Sequence, residues 1–171
     1  MFDFGVKGHI EALLFACAEP LPAVKLAALL DLPVDKIVII LDEMVSAMKD
    51  DSRGLTIVEV AGGYQLCTKP ELASIVERLA HSQEPRLSSA ALETLAIVAF
   101  RQPITRLEIE SIRGVKTDKV IANLVERGLI KEVGRKEAIG RPILYGTTED
   151  FLKCLGLNSL EDLPTLPDMN K

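Results

Sequence analysis

The stretch SSAALETLAIVAFRQPITRLEIESIRGVKTDKVIANLVERGLIKEVGRKEAIGRPILYGTT, residues 88–148, decides the fold. Leu92, Leu95, Ala96 and Ala99 recur at i, i+3, i+4 and i+7 behind Ser88 and Ser89, which are suited to capping a helix that runs to the Arg101-Gln102-Pro103 turn. Thr105 then caps a second helix. Glu108, three positions on, completes a capping box, Leu107, Ile109 and Ile112 form the apolar side, and Gly114 ends it. Thr117 caps a third helix with its stripe at Val120, Ile121, Leu124 and Val125, closed by Gly128. Two β-rich runs follow, 129–133 and 143–147, joined by the polar, glycine-bounded loop 134–142. Three helices and a hairpin in this order predict a winged helix-turn-helix.

Composition limits what such a module belongs to. The 171 residues, 48% hydrophobic and 26% charged, suit one or two small folded cores. The net charge of -5 argues against nucleic-acid binding by overall charge, although the charge is unevenly placed. Residues 88–148 carry 10 Lys and Arg against 7 Asp and Glu, and both flanks are acidic. Cys17, Cys67 and Cys154 are odd in number, far apart and set in apolar runs, so they read as buried reduced thiols. That pattern, the lack of a leading apolar segment and the absence of any run near the ~20 apolar residues of a bilayer span predict a cytoplasmic protein.

From the start of the chain, helices are expected over 10–18, 23–30 and from Pro33 past Met48, then strands over 55–60 and 64–68 about a Gly62-Gly63 turn, then a fourth helix from Pro70. This repeats the order of the second half. Pro20 and Pro103 differ by 83 positions, as do Asp35 and Asp118, and Leu41 and Leu124. Gly54-Leu55 and Gly128-Leu129 differ by 74, which predicts a third helix about two and a half turns longer in the first half. The fold class expected is mainly α with small β-hairpins (α+β), two tandem winged helix-turn-helix domains: 1–80, a linker at 81–87, and 88–171 with the C-terminal tail.

The third helix of the first half carries Ile37, Val38, Ile39, Ile40 and Leu41 in succession, apolar on every side for more than a turn. Cover comes either from the domain's own helix 4 and hairpin or from a second copy. With so small a domain, a homodimer seam is the expectation.

Direct DNA reading is poorly supported, since helix 3 of the second half faces outward with Asp118, Lys119, Ala122, Asn123 and Glu126, a mixed and weakly charged surface. The wing holds Arg135, Lys136 and Arg141 with Glu137 between them, as a solvated hairpin does. Catalysis leaves fewer traces. His9 and His81 stand apart from each other and from the cysteines, without CxxC or HExxH spacing, and no phosphate-loop glycine pattern opens a helix, so neither an enzyme nor a cofactor or metal is expected.

The motifs ALETLAIVAFRQPITR at 91–106, LVERGLI at 124–130, VGRK at 133–136, GRP at 140–142 and LYGTT at 144–148, with FL, LGL and SLEDLP between 151 and 164, resemble the signature of ScpB, the bacterial segregation and condensation protein B family. The resemblance runs more loosely back to Ile10-Glu11-Ala12-Leu13-Leu14-Phe15 and so covers nearly the whole chain. It implies a non-enzymatic scaffold subunit of the SMC condensin-like complex, which dimerises largely through its first domain and binds the central segment of the kleisin ScpA. Through ScpA it would reach SMC and the nucleoid. The alternative is a winged-helix transcription regulator. For the kleisin, the surface expected is the second domain's helix 2, helix 3 and wing, where Arg106, Glu110, Arg113, Lys119, Asn123, Arg135 and Arg141 ring an apolar base.

Overall fold

The computed structural model of the chain describes residues 5–79 and 87–164; the expected linker, apart from Leu87, and the tail from residue 165 lie outside these. The chain divides into two compact units, one holding 5–79 together with 156–164, the other 87–155. Both combine helices with small antiparallel sheets.

The first unit runs α1 (Val6–Ala16), α2 (Ala23–Leu30), α3 (Val34–Ala47), β1 (Leu55–Val60) and β2 (Gly63–Thr68), then a 3-10 turn (Pro70–Leu72) leading into α4 (Ala73–Glu77). Pro22 and Pro33 precede α2 and α3, where a fixed φ and a missing N–H cost a helix start nothing. Ile10, Leu14, Leu26, Ile37, Leu41 and Met44 form the centre of the core, with Ile57 of β1 packed on it. β1 and β2 pair antiparallel from Leu55↔Thr68 to Val60↔Gly63. Leu21, between α1 and α2, adds a single bridge to the sheet: its N–H donates to Tyr64 O and Tyr64 N–H donates back to Leu21 O, both at 2.9 Å.

The second unit runs α5 (Ser89–Arg101), β3 (Ile104–Thr105), α6 (Arg106–Arg113), α7 (Asp118–Glu126), β4 (Ile130–Arg135), β5 (Ile143–Thr147) and α8 (Glu149–Leu155). Ser88 caps α5 by accepting from Ala91 N–H. Thr105 and Glu108 form the expected capping box on α6, and Gly114 ends that helix in the left-handed conformation at φ 71°. Val98, Ile109, Leu124 and Ile130 are fully buried at the centre. The sheet has the order β3-β5-β4, with an irregularity between Glu132 and Gly134 that bends the outgoing strand.

The 83-residue offset extends to contacts that the helix pattern alone did not reveal. The bridging residue Leu21 of the first unit has its counterpart in Ile104 of the second, which pairs with Tyr145 as Leu21 pairs with Tyr64. Gly63 and Gly146 are also 83 apart, and each lies against the turn before the second helix: a Cβ on Gly63 would meet the Pro20 and Leu21 backbone at 2.9 Å, and one on Gly146 would meet Gln102 Oε1 at 2.9 Å. The returning strands do not keep that register: the bridged partners Tyr64 and Tyr145 are 81 positions apart, with Gly63 just before the first and Gly146 just after the second.

Three expectations need correction. α3 has 14 residues against 9 in α7, a difference of 5, so the excess is nearer one and a half turns at 3.6 residues per turn; the rest is taken up by the irregular turn around 49–54. Thr117 does not cap α7 with its side chain: it is fully buried, and its N–H instead donates to Glu110 Oε1 at 3.0 Å. Residues 156–164, expected within the second domain, pack on the first unit. Ala61 N–H donates to Leu157 O, Gly62 N–H to Asn158 Oδ1 at 2.7 Å, and Asn158 Nδ2 to Glu59 Oε1, so this strap caps the tip of the β1–β2 hairpin. A 3-10 turn at Leu160–Asp162, boxed by Ser159 and Asp162, holds the strap's shape.

Candidate functional site

The expected interface residues fall into separate places. Arg106 opens α6 and makes an ion pair with Asp118, the first residue of α7, which ties the two helix starts together. Arg135 at the end of β4 and Arg141 in the following loop line one groove with Arg106, walled by Leu107, Ile143 and Tyr145. The loop is fixed by its own bonds: Arg135 Nη1 donates to Arg141 O at 3.2 Å, Lys136 N–H to Pro142 O at 2.9 Å, and Arg141 N–H to Ala138 O at 2.8 Å. It is also held from below. Lys136 Nζ donates to Glu108 Oε1, while Glu108 Oε2 accepts from Thr105 N–H at 2.9 Å and Thr105 Oγ1 at 2.7 Å. The Lys136 hydrogen bond, followed by those of Thr105, lowers the Glu108 carboxyl to about 2.

Lys119 and Asn123 are exposed one turn apart on α7, and Asn123 edges a different depression, formed by Leu92, Leu95, Phe151 and Cys154 among others. Glu110 and Arg113 turn inward. Arg113 keeps only 8% of its side-chain area exposed; its Nη1 donates to the buried Thr94 Oγ1 and its Nη2 to Glu93, both at 3.0 Å. Arg113 is thus a strut between α5 and α6 and is withdrawn from the binding surface, because a guanidinium with two fixed partners and a buried stem presents nothing to a ligand. Glu110 is occupied in the same sense by Thr117.

The first-unit stretch is corrected likewise. Ile37 and Leu41 are fully buried in their own unit's core, which removes them from any seam; Ile39 is 59% exposed, and Val38 and Ile40 are half-buried. A helix packed on its neighbours over two faces leaves one face open, and the continuous apolar run hid which one. Sequence reasoning passed over other exposed apolar side chains: Phe15 on α1, Ile139 at the tip of the β4–β5 loop, and Leu72, Ile75, Val76 and Leu79 around α4. The last four were legible as i, i+3, i+4 and i+7.

Cys17 and Cys67 are half-buried, and burial pushes the Cys67 thiol up; Cys154 is exposed, so the expectation of three buried thiols fails there. Among the described residues no group of three or more His, Cys, Asp or Glu is placed to hold a metal, and no helix is long and apolar enough to cross a membrane. What the sites present in common is an apolar floor with a polar margin, the makeup of a surface that meets another macromolecule.

The sequence pattern of the family described as "Segregation and condensation complex subunit ScpB" matches residues 8–166. Segregation and condensation protein B of Moorella thermoacetica is 50% identical over 168 residues, covering 98% of this chain and 86% of that protein. The protein of the same name from Halalkalibacterium halodurans is 51% identical over 165 residues, covering 95% and 84%. Among solved structures, ScpB from Mycobacterium tuberculosis is 38% identical, covers 89% of this chain and 95% of its own, and superposes with a TM-score of 0.43. A dimer of an ScpB N-terminal domain complexed with an ScpA peptide is 31% identical over 43% of this chain and 93% of its own, at a TM-score of 0.42. The chain belongs to the ScpB family of segregation and condensation proteins.

Proposed function

We propose that the chain is a non-enzymatic scaffold of the SMC condensin-like complex, a cytoplasmic homodimer that binds the kleisin ScpA and so supports chromosome condensation and segregation. The observation that carries this reading is the family match along residues 8–166. Each unit acts as a winged helix, a reading supported by three helices and a hairpin in each and by the bridge that Leu21 makes to Tyr64 in the first and its 83-residue counterpart Ile104 makes to Tyr145 in the second. The first unit dimerises, and Phe15, Val24, Leu29, Ile39 and the side chains around α4 are among the exposed apolar groups it has available for that.

In the second unit the kleisin contact is assigned to the groove of Arg106, Arg135 and Arg141, while Lys119 and Asn123 are exposed on α7, Asn123 at the edge of a separate depression. Direct DNA contact is weak in this reading, because Arg106 and Lys136 already hold carboxylates from Asp118 and Glu108. Mixing the full chain with ScpA and weighing the product by light scattering tests the proposal. A stable complex containing two copies of this chain is expected; two proteins that elute separately at micromolar concentration would end it.

A further inference from the structure

The groove of Arg106, Arg135 and Arg141 is floored by Leu107, Ile143 and Tyr145. Among the described residues no carboxylate lines it, in a chain where Asp and Glu outnumber Lys and Arg by 25 to 20. Like charges gathered on one wall repel, so the arrangement has to be held by the loop that carries it. Arg141 shows this directly. Its φ of 42° lies in the left-handed region, and it is kept there by its own N–H bond to Ala138 O at 2.8 Å and by Arg135 on its carbonyl. Fixed cations around an apolar floor complement carboxylates with aliphatic side chains between them.

The three arginines differ in one respect. Among the described residues neither Arg135 nor Arg141 takes part in an ion pair, whereas Arg106 is held by Asp118. We propose that the groove takes an acidic segment of the partner, and that Asp118 is an internal competitor which occupies Arg106 until a carboxylate of that segment displaces it. The proposal rests on the kleisin reading above for the source of the segment; it adds the segment's chemistry and the residue that limits its affinity.

Displacement is inexpensive because the resident pair is weak. The side chains of Arg106 and Asp118 are 49% and 52% exposed, and an ion pair so open to water contributes little. Asp118 engages only Nη1 of a guanidinium that has five N–H donors, so a carboxylate arriving in the bidentate fork gains a bond that Asp118 does not make. A segment already seated on Arg135 and Arg141 presents its next carboxylate to Arg106 at high effective concentration. Asp118 thereby sets a threshold: a segment with few acids fills the two open arginines, and only a longer acidic run opens the third.

Titration of the full chain with a labelled peptide of alternating aspartate and leucine, and with ScpA, over a salt series tests this. Asp118→Asn should bind the peptide about threefold to tenfold more tightly than wild type and lose affinity more steeply as salt rises, since a third guanidinium is then free. Asp118→Ser should behave alike, and it serves if D118N folds poorly. The gain should vanish in R106Q/D118N measured against R106Q, because the two residues act through each other. Glu137→Gln removes one negative charge from the same loop without freeing Arg106, and should change affinity by less than about twofold. If D118N and D118S bind the peptide no more tightly than wild type, if the gain survives in R106Q, or if E137Q matches it, the proposal is overturned while the kleisin reading stands. Duplex DNA binding more tightly than the peptide at the same salt overturns the choice of an acidic segment. If the peptide follows the expected pattern and ScpA does not bind, the kleisin reading falls and the competition at Arg106 stands.

Discussion

Lys136, in the loop after β4, donates to the Glu108 carboxylate that closes the capping box of α6, so the loop carrying Arg135 and Arg141 is fastened to the helix start beneath it. Glu108 has a carboxyl lowered from 4.5 to about 2, and the sign of the linkage follows. A carboxyl depressed in the folded state contributes stability that is full above about pH 4.5 and is lost as the pH falls toward 2. Acid unfolding of Glu108→Gln should therefore be less steep than wild type across that window, as followed by far-ultraviolet circular dichroism. Identical pH profiles would show that the cap and the loop tie are unlinked to titration.

The inward turn of Arg113 makes it a stability residue. Arg113→Leu removes the donors to Thr94 and Glu93, and the expected cost is about 1–3 kcal/mol in urea unfolding. Arg113→Lys should recover little, since one ammonium does not reproduce two parallel donors at fixed separation. Because Thr94 Oγ1 also donates to Ala90 O, the hydroxyl keeps one partner, and the loss should stay below that of a stranded buried charge.

Much of the second unit was legible because its signals are local. Ser88, Thr105 with Glu108, and Gly114 sit where cap chemistry requires them. The fate of Thr117 was not legible, since the carboxylate that serves its N–H comes from Glu110 on the preceding helix. Nor was Arg113, which reads as a surface cation until the fold brings Thr94 beneath it. The run Ile37 to Leu41 shows the same limit from the apolar side: periodicity states how much of a helix avoids water, while the neighbours decide which faces are already covered. Residues 156–164 were assigned by nearness in sequence, and the bonds of Asn158 to Gly62 and Glu59 join positions almost a hundred apart.

That strap gives a prediction about local opening. Asn158→Ala deletes the acceptor for Gly62 N–H and the donor to Glu59, which should cost about 1 kcal/mol locally. Hydrogen exchange at Ala61 and Gly62 should quicken several-fold, with the core amides of α3 unaffected. Unchanged exchange at the hairpin tip would mean the strap does not hold it.

The paired glycines separate a backbone clash from a side-chain clash. In Gly63→Ala the new Cβ meets the Pro20 and Leu21 backbone, which the Leu21–Tyr64 bridge holds in place, so a loss of about 1–3 kcal/mol is expected. In Gly146→Ala it meets the Gln102 and Val133 side chains, which have rotamers to give, though Gln102 Oε1 accepts from Thr147 N–H at 2.8 Å and must keep that bond. The second substitution should therefore be the milder in chemical denaturation. A reversed order would place the tighter constraint on the Gln102 turn.

The groove of Arg106, Arg135 and Arg141 offers the sharpest test of where the kleisin binds. Arg106 is paired with Asp118, so its reversal disturbs the α6–α7 junction and confounds binding with structure. Arg135 and Arg141 are cleaner: both are exposed, and the hydrogen bond between them runs from Arg135 Nη1 to the main-chain carbonyl of Arg141. Arg135→Glu with Arg141→Glu should lower ScpA affinity at least tenfold, leave the dimer mass unchanged and shift the thermal midpoint little. Rim charges act mostly on the association rate, so the deficit should appear chiefly there and shrink as salt is raised. If the double variant binds ScpA as wild type does, the kleisin contact belongs to another surface, and the depression beside Asn123, floored by Leu92, Leu95 and Phe151, is the next to alter.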